Sequence, residues 1–494
     1  MKDLLFLRGL AIGAALALAL AACSTAVLPA TTPRLPLEDC VLDGDVKAQC
    51  GEWAVPEDRT ATTGKTITLK VVVVPAISRN AQPDALFLFA GGPGQAATEA
   101  FPPLLGALER IQQDRDLVLI DQRGTGENNP LTCPDSDDDV TLTLTEDETK
   151  KLYLESLREC LTQMAGDPRW YTTENAARDF DEVRAALGYE QINIYGVSYG
   201  TRMAQTYLKL FPERVRAVIL DGVVPQAEAL GIDVAADAQR ALEMIFTRCE
   251  ADEACRAAFP NLRAEFESVL TTLQAEAPII TAIHPTTGQA TELRLTRSST
   301  VSTIRLLTYA PETAALLPLL IHQAAQKNYT MLAAQMVAVG DDLSASISGT
   351  LNASVLCAED APFITPEQAA QANANTYLGD VQTAQIETLC AVWPHGPVSG
   401  DFKQPVQSSV PVLLLSGEAD PVTPPSNAEE VARTLPNSLH VVAPGQGHNV
   451  LMRGCLPRVA ANFIEAASVQ GLDVACVQAI APLPFFVDVT GPKP

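Results

Sequence analysis

One serine of the sequence lies in a glycine box that is typical of an activated nucleophile. Ser198 is the centre of GVSYG (196–200), which follows the apolar run 191–195 and precedes an amphipathic segment. A strand–turn–helix of this kind strains the backbone of the serine and exposes its hydroxyl at the edge of a sheet. We therefore predict that Ser198 is a nucleophile, and that both glycines are needed because larger side chains would contact the strand and helix around the turn.

A serine hydroxyl is a weak nucleophile and needs a general base beside it. His448 follows the last apolar strand pattern, in the glycine-rich loop GQGHNV, from which an imidazole could reach the edge of a sheet. We predict that His448 is the base. Of the other histidines, His284 and His322 lie in the region of helical patterns. His395 lies in a loop and His440 within a strand pattern.

A carboxylate should orient this imidazole and stabilise its charged form. Asp420 closes the strand pattern PVLLLSGEAD, and it is the predicted acid. The chain order Ser198, Asp420, His448 is the order found in α/β-hydrolases. Asp221, which ends the strand pattern VILDG, is the rival acid, and Glu418 is a further alternative.

The tetrahedral intermediate of acyl transfer needs hydrogen-bond donors aimed at its oxygen. The backbone N–H of Tyr199, the residue after the nucleophile, is one expected donor. The second should come from AGGPG (90–94), which follows an earlier strand pattern. Gly92 is the predicted residue, since Pro93 has no N–H; a simple tight turn is the alternative reading of this loop.

The elements that must position these residues alternate along the chain. Continuous apolar runs that end in glycine are typical of parallel strands covered on both faces, and helical patterns such as 173–188 and 199–212 lie between them. This predicts a doubly wound, mostly parallel α/β sheet; the chain order Ser198, Asp420, His448 makes it resemble the α/β-hydrolase fold. Residues 225–400 break the alternation and predict a mainly helical cap, inserted between core segments 37–224 and 401–494.

The N-terminus predicts export. Lys2 and Arg8 precede an apolar run that is shorter than the roughly 20 residues of a membrane-spanning helix. The run ends in LAAC (20–23), which resembles a bacterial lipoprotein box. Residues 1–22 are then a signal peptide, Cys23 is the lipidated first residue, and 23–36 form a flexible tether. The expected location is the bacterial cell envelope; an ordinary signal peptide and secretion are the alternative.

Charge and cysteine content narrow the function further. The formal net charge of −25, with no basic face in the sequence, argues against nucleic-acid binding. Membrane contact is expected through the lipid alone. The eleven cysteines show no spacing typical of a zinc site, and neither a metal nor an organic cofactor is expected. Without Cys23 they fall into close couples, and the simplest pairing is Cys40–Cys50, Cys133–Cys160, Cys249–Cys255, Cys357–Cys390 and Cys455–Cys476.

Five motifs occur in an order that resembles one group of α/β-hydrolases, the proline iminopeptidases and tripeptidyl aminopeptidases. They are GGPG (91–94), DQRGTG (121–126), GVSYGT (196–201), GEADPVTP (417–424) and GQGH (445–448). The resemblance implies a serine exopeptidase that releases a short peptide or a single residue from an unblocked N-terminus. Ala90 stands where iminopeptidases commonly carry histidine, which favours the exported tripeptidyl-type relatives.

An exopeptidase of this kind needs a carboxylate to hold the α-ammonium group of its substrate. The segment CAED (357–360) resembles the family segment that returns from the cap to the core, so Glu359 and Asp360 are candidate amine anchors. Solvated acids beside a disulfide are the alternative. Arg123 could contact substrate, but a structural role in the loop beneath the site is the preferred interpretation. Two other functions stay open: a carboxylic-ester hydrolase with the same residues, and an inactive surface lipoprotein that binds ligands.

Overall fold

The computed structural model of the chain describes residues 34–133 and 142–492. Everything below belongs to the compact unit Leu35–Pro494. The predicted signal peptide, Cys23 and all of the predicted tether before residue 34 lie outside the described residues. Among the helices described, none is both long and apolar enough to cross a bilayer.

Nine strands form one mixed sheet with the order β1-β2-β3-β5-β4-β6-β7-β10-β11. The six strands from β5 to β11 in this order are parallel, and β1, β2 and β3 pair antiparallel at one side. The sheet therefore confirms the predicted fold class. The strands are β1 (Glu38–Leu42), β2 (Val46–Pro56), β3 (Thr66–Val74), β4 (Leu86–Phe89), β5 (Leu117–Ile120), β6 (Ile192–Val197), β7 (Val215–Asp221), β10 (Val412–Gly417) and β11 (Ser438–Ala443).

Both faces of the sheet are covered, which explains the continuous apolar runs. Phe87 and Phe89 of β4 belong to one hydrophobic core, while Leu86 and Leu88 belong to a second core on the opposite face. The helices packed along the sheet come before and after a long insert. They are α1 (Ala97–Ala100), α2 (Leu105–Gln112), α4 (Thr173–Leu187), α5 (Tyr199–Leu210), α16 (Pro425–Ala432) and α17 (Leu456–Ala466). Helix α3 (Glu146–Gln163) also precedes the insert, but its buried residues Leu157 and Cys160 pack against residues of the insert.

The insert occupies the chain between the end of β7 and the start of β10, and it is mainly helical as predicted. It also contains an antiparallel hairpin, β8 (Ile279–Ile283) and β9 (Ala290–Arg294), which the sequence analysis missed. Its helices are α6 (Val234–Ala251), α7 (Glu253–Ala258), α8 (Leu262–Glu276), α9 (Arg297–Leu307), α10 (Pro311–Ala314), α11 (Leu317–Ala325), α12 (Thr330–Ser346), α13 (Gly349–Glu359), α14 (Pro366–Asn373) and α15 (Val381–Cys390).

The antiparallel hairpin β1–β2 was also missed, because its residues are largely exposed and show no continuous apolar run. A disulfide joins its strands through Cys40 and Cys50. The structure joins the other eight cysteines in the same sequential couples that the simplest pairing predicted: Cys133–Cys160, Cys249–Cys255, Cys357–Cys390 and Cys455–Cys476.

Candidate active site

Ser198 lies at the turn between β6 and α5, at the carboxyl end of the parallel strands. Its φ of +56° places a non-glycine residue in a region that costs on the order of 1–3 kcal/mol. A Cβ atom on Gly196 would lie 2.4 Å from the carbonyl oxygen of Gly200, and one on Gly200 would lie 2.1 Å from the carbonyl oxygen of Phe89. Both glycines are therefore required by close backbone approach, for the reason that the sequence suggested.

Asp420 and His448 follow the neighbouring strands β10 and β11 and meet in a hydrogen bond. Nδ1 of His448 lies 2.8 Å from Oδ2 of Asp420. Asp420 is fully buried, and the N–H groups of Val422 and Thr423 donate to its Oδ1 at 2.9 and 2.8 Å. Burial alone would raise the pKa of Asp420, but the imidazole and these N–H donors outweigh burial and keep the pKa below its ordinary value. The carboxylate is thus ionised and fixes the tautomer of the ring.

The imidazole lies across the end of β7, the strand between the nucleophile strand and β10. The N–H of Ser198 donates to the carbonyl of Asp221 at 2.9 Å, which holds the two strand ends together. A Cβ atom on Gly222, the next residue, would lie 3.0 Å from Cε1 of His448. Nε2 of His448 makes no hydrogen bond with another described residue. It is therefore the ring nitrogen available to take a proton from the hydroxyl of Ser198.

The rival acids have other partners. Both oxygens of Asp221 accept hydrogen bonds from backbone N–H groups at 450–451, and Oδ2 also accepts one from the Tyr195 hydroxyl at 3.0 Å. Burial raises the pKa of Asp221. Its role is thus to hold the loop that carries the imidazole. Oε2 of Glu418 accepts a hydrogen bond from the N–H of Gly445 at 2.8 Å.

The two segments that carry the predicted oxyanion donors lie next to the nucleophile. A Cβ atom on Gly91 would lie 3.2 Å from Cβ of Ser198, so the glycine loop lies directly against the elbow. Gly92 has a φ of +107°, a conformation that favours glycine. Tyr199 is the first residue of α5, where backbone N–H groups lack helical partners. In the described part of the chain, the N–H groups of Gly92 and Tyr199 donate to no other residue.

Two residues at the acid–base pair were missed by the sequence analysis. The Oγ1 hydroxyl of Thr423 donates to Oδ2 of Asp420 at 2.8 Å and lies 3.1 Å from Nδ1 of His448. Tyr309, from the insert, packs its ring edge-on against the imidazole at 5.1 Å between centroids, and its carbonyl accepts the N–H of His448 at 2.7 Å. Thr423 was visible in the motif GEADPVTP, whereas Tyr309 has no local signal in the sequence.

The two candidate amine anchors, Glu359 and Asp360, are fully buried and engaged elsewhere. Thr173 donates its N–H to Oε1 and its hydroxyl to Oε2 of Glu359, both at 2.6 Å. Asp360 accepts two hydrogen bonds from Arg202, at 2.8 and 3.0 Å, and one from Lys403 at 2.7 Å. These partners leave neither carboxylate open to a substrate ammonium group, so the geometry does not support the two residues as anchors.

Arg123 is fully buried, and its guanidinium binds both oxygens of Asp179 at 2.7 and 2.8 Å. It also donates to the carbonyl oxygens of Pro56, Glu57 and Trp170. These contacts agree with the preferred structural interpretation. No cluster of three or more metal-ligating side chains occurs among the residues that the structure describes.

Comparison with known proteins agrees with this fold. The family model described as α/β-hydrolase fold matches residues 84–248, and the model described as TAP-like protein matches residues 375–476. Serine protease Hip1 of Mycobacterium tuberculosis is 27% identical over 450 residues, which cover 82% of each chain. The tripeptidyl aminopeptidase of Streptomyces coelicolor is 32% identical over 203 residues, covering 38% of this chain and 37% of that protein. Carboxylesterase B of M. tuberculosis is 27% identical over 199 residues, covering 36% of this chain and 37% of that protein.

The chain is therefore a serine hydrolase of the α/β-hydrolase fold with a TAP-like C-terminal region. It is distantly related to the Hip1 serine protease and to the tripeptidyl aminopeptidases.

Proposed function

We propose that the protein is a serine exopeptidase that releases single residues or short peptides from free N-termini. The observation that carries the exopeptidase assignment is a group of carboxylates on the first part of the insert that form no salt bridge among the described residues: Glu228, Asp233 and Asp237. The similarity to a tripeptidyl aminopeptidase and to a serine protease supports the same class of substrate.

The proposed reaction uses the site as follows. Oγ of Ser198 attacks the scissile carbonyl carbon while Nε2 of His448 takes its proton, and Asp420 stabilises the resulting imidazolium. The N–H groups of Gly92 and Tyr199 bind the oxyanion. The imidazolium then gives its proton to the leaving amine, which departs and leaves an acyl-enzyme. Water, activated by the same imidazole, hydrolyses the ester and frees the released peptide.

The electrostatics of these carboxyl groups suit an ammonium ligand, because a cation placed among them would favour their ionised form. Burial, together with the negative charges of neighbouring carboxylates, raises the pKa of Glu228 to about 8 and the pKa of Asp237 to about 7. Oε2 of Glu228 accepts one hydrogen bond, from Asn427 at 2.9 Å. The side chains of Asp233 and Asp237 form no hydrogen bond with any residue of the described ranges. Uncompensated carboxyls of this kind cost stability, and perturbed groups of this kind concentrate at functional sites.

The position of Asp237 connects this group to the catalytic acid. Arg240 lies three residues further along α6, and residues at this spacing share a helix face. The guanidinium of Arg240 donates to the carbonyl oxygens of Asp420 and Glu418, at 2.6 and 2.8 Å. Asp237 therefore lies on the face of α6 that packs against the end of β10, and the charge of Asp420 contributes to its raised pKa. We propose Asp237, with Glu228, as the amine anchor in place of Glu359 and Asp360.

The test compares unblocked and N-acetylated tripeptidyl anilides on the purified protein and its Asp237→Asn variant. Unblocked substrates should be preferred, and Asp237→Asn should raise their KM about tenfold, since a hydrogen bond to a charged group contributes about 1.5–3 kcal/mol. Glu243→Gln is the matched control, because Glu243 lies on the same helix but is paired with Arg263. Equal hydrolysis of blocked and unblocked peptides would exclude the exopeptidase assignment.

A carboxylic-ester hydrolase is the second candidate, favoured by the similarity to a carboxylesterase. Hydrolysis of a short-chain aryl ester with no activity on any peptide anilide would establish it. A fluorophosphonate probe distinguishes both enzymes from a ligand-binding protein without activity. Labelling of the wild type and its loss in Ser198→Ala is the expected result.

We also propose that the protein is exported and anchored by a lipid on Cys23. The five disulfide bonds support an oxidising compartment, because such bonds are rare in the cytosol. Expression with a labelled fatty acid in a bacterial host tests the proposal. Label should appear in the membrane fraction of the wild type and disappear in Cys23→Ala; secretion of unlabelled wild-type protein would contradict lipidation.

A further inference from the structure

Helix α13 of the insert contacts both backbone segments that carry the oxyanion donors. At its N-terminal end, the N–H of Ser348 donates to the carbonyl of Gly94 at 2.9 Å. One turn on, Nδ2 of Asn352 donates to the carbonyl of Pro93 at 3.0 Å. The approach is close, since a Cβ atom on Gly94 would lie 2.7 Å from the carbonyl oxygen of Ser348. The loop that presents the N–H of Gly92 is therefore held by the insert.

The C-terminal end of the same helix holds the second donor through a buried chain of hydrogen bonds. Thr173 donates its hydroxyl to Oε2 of Glu359 at 2.6 Å, and the same hydroxyl lies 2.6 Å from the hydroxyl of Tyr199. Nε2 of Gln122 donates to the Tyr199 hydroxyl at 3.1 Å. All four side chains are buried. Tyr199, whose backbone N–H is the second proposed oxyanion donor, is thus anchored by its own phenol.

The carboxylate at the end of this series of hydrogen bonds determines which group donates in each of them. An ionised carboxylate accepts hydrogen bonds and cannot donate. The Thr173 hydroxyl must therefore donate to Glu359 and accept from Tyr199, whose oxygen in turn accepts from Gln122. Burial raises the pKa of Glu359, and the order is complete when this carboxyl group is ionised. Because only one arrangement of donors and acceptors is possible, the hydrogen bonds fix the rotamer of each of these side chains.

Packing along the middle of the helix reinforces these two contacts. Leu351 and Val355 of α13 share one buried apolar cluster with Tyr199. The disulfide Cys357–Cys390 ties the last turn of α13 to α15. The helix is therefore held against the glycine loop at its start and against Tyr199 at its middle, and Thr173 links its end to Tyr199.

We infer that α13 positions the oxyanion hole, with Asn352 and Glu359 as the positioning residues that set the separation of its two donors. The inference rests on the proposed function, since both donors act on the acyl-transfer intermediate. An oxyanion must lie about 2.7–3.1 Å from each donor, so a small shift of either backbone segment weakens transition-state binding. Neither Asn352 nor Glu359 needs to touch the substrate.

The test uses two variants, each of which removes the contact that one end of α13 makes with an oxyanion segment. Asn352→Ala removes the contact to the glycine loop at a half-buried position, and Thr173→Val cuts the link between Glu359 and Tyr199. Thr173→Ser keeps the hydroxyl and is the conservative rescue. Asn373→Ala is the matched control, because Asn373 is half-buried in the insert and donates to Thr383 at 2.7 Å without contacting the site.

The measurements are kcat and KM on an unblocked peptide anilide and on an aryl ester, the rate of fluorophosphonate inactivation, and Tm. Complete loss of one oxyanion donor lowers kcat by about 10²–10³. Displacement of a donor should therefore lower kcat and the inactivation rate by about 10- to 100-fold, with KM changed by less than about threefold. Thr173→Ser should restore both rates, and Asn373→Ala should match the wild type.

Several outcomes would overturn the inference. The first is that Asn352→Ala and Asn373→Ala have similar kcat values at equal Tm. The second is that Thr173→Val lowers kcat and Thr173→Ser does not restore it. A wild type that cleaves the ester alone would refute the exopeptidase proposal, yet the same variants on the ester would still decide the inference. A wild type inert to both substrates and to the probe would overturn both proposals.

Discussion

Asp420→Asn is the substitution that tests the acid–base pair most directly. Oδ1 of Asp420 accepts two backbone N–H groups, from Val422 and Thr423, so the NH2 group of an asparagine cannot occupy that position without facing two donors. It must occupy the position of Oδ2, where it would donate to Nδ1 of His448. The ring is then forced into the tautomer that carries its proton on Nε2, and it cannot accept the proton of Ser198.

This tautomer argument fixes the expected magnitude. An acid-to-amide change that traps the wrong tautomer lowers kcat about 10⁴-fold in a serine triad, which corresponds to about 5 kcal/mol of transition-state stabilisation. The fold should change little, because asparagine has the same shape and its oxygen still accepts the backbone N–H groups of Val422 and Thr423. The assay is kcat on an unblocked peptide anilide, with Tm measured on the same sample.

Asp221→Asn is the control, since Asp221 is the rival acid at the neighbouring strand end. Its carboxylate accepts the N–H groups of Val450 and Leu451, and an amide there would leave a buried donor unpaired at a cost of about 1–3 kcal/mol. We expect a lower Tm and a smaller loss of kcat than for Asp420→Asn. A kcat for Asp420→Asn within tenfold of the wild type, or a larger loss for Asp221→Asn, would refute the assignment of the acid (both thresholds follow from the ~10⁴-fold expectation).

Three further predictions follow from the same site. Thr423→Val should lower kcat about tenfold through loss of a hydroxyl bound to the carboxylate, and Thr423→Ser should restore it; an unchanged kcat in the valine variant would contradict this role. Gly222→Ala should lower kcat by displacing the imidazole, whereas Gly188→Ala, at a similar positive φ with open space around it, should lower only Tm; equal effects on kcat would count against the packing argument. Because the folded pKa of Asp237 is raised to about 7 from 3.8, the folded chain keeps a proton that the unfolded chain releases, and stability falls as pH rises through this interval. Asp237→Asn should therefore raise Tm more at pH 8 than at pH 4. A variant with a lower Tm than the wild type at pH 8 would show that the ionised Asp237 is stabilised by a partner, against this prediction.

The parts of the site that the sequence predicted are those with a local signal. Ser198 was identified by glycines on both sides, and the structure explains both through backbone contacts under 3 Å. Asp420 and His448 were found because each follows an apolar strand, and parallel strands end at the same edge of a sheet. The register of β10 with β11 then brings the two loops into hydrogen-bond distance.

The parts that the sequence did not predict depend on contacts between distant segments. Glu359 and Asp360 are adjacent in sequence, yet one binds Thr173 and the other binds Arg202 and Lys403, from three separate elements. The composition of the sequence could not show that these carboxylates already have hydrogen-bond and salt-bridge partners within the protein. It also could not show that Asp237, among the many acids of an acidic chain, forms no hydrogen bond or salt bridge with the residues that the structure describes.

The sequence alone determined the α/β sheet, the helical insert between its strands, the strained turn at Ser198 and the order of the three chemical groups. These features are encoded within a few residues, because apolar periodicity and glycine conformations act over single turns and strands. The tertiary structure decided which carboxylate meets the imidazole, which acids remain uncompensated, and that one helix of the insert contacts both oxyanion segments. Those outcomes depend on which side chains from remote segments come within about 3 Å of each other, and only the packed chain specifies that distance.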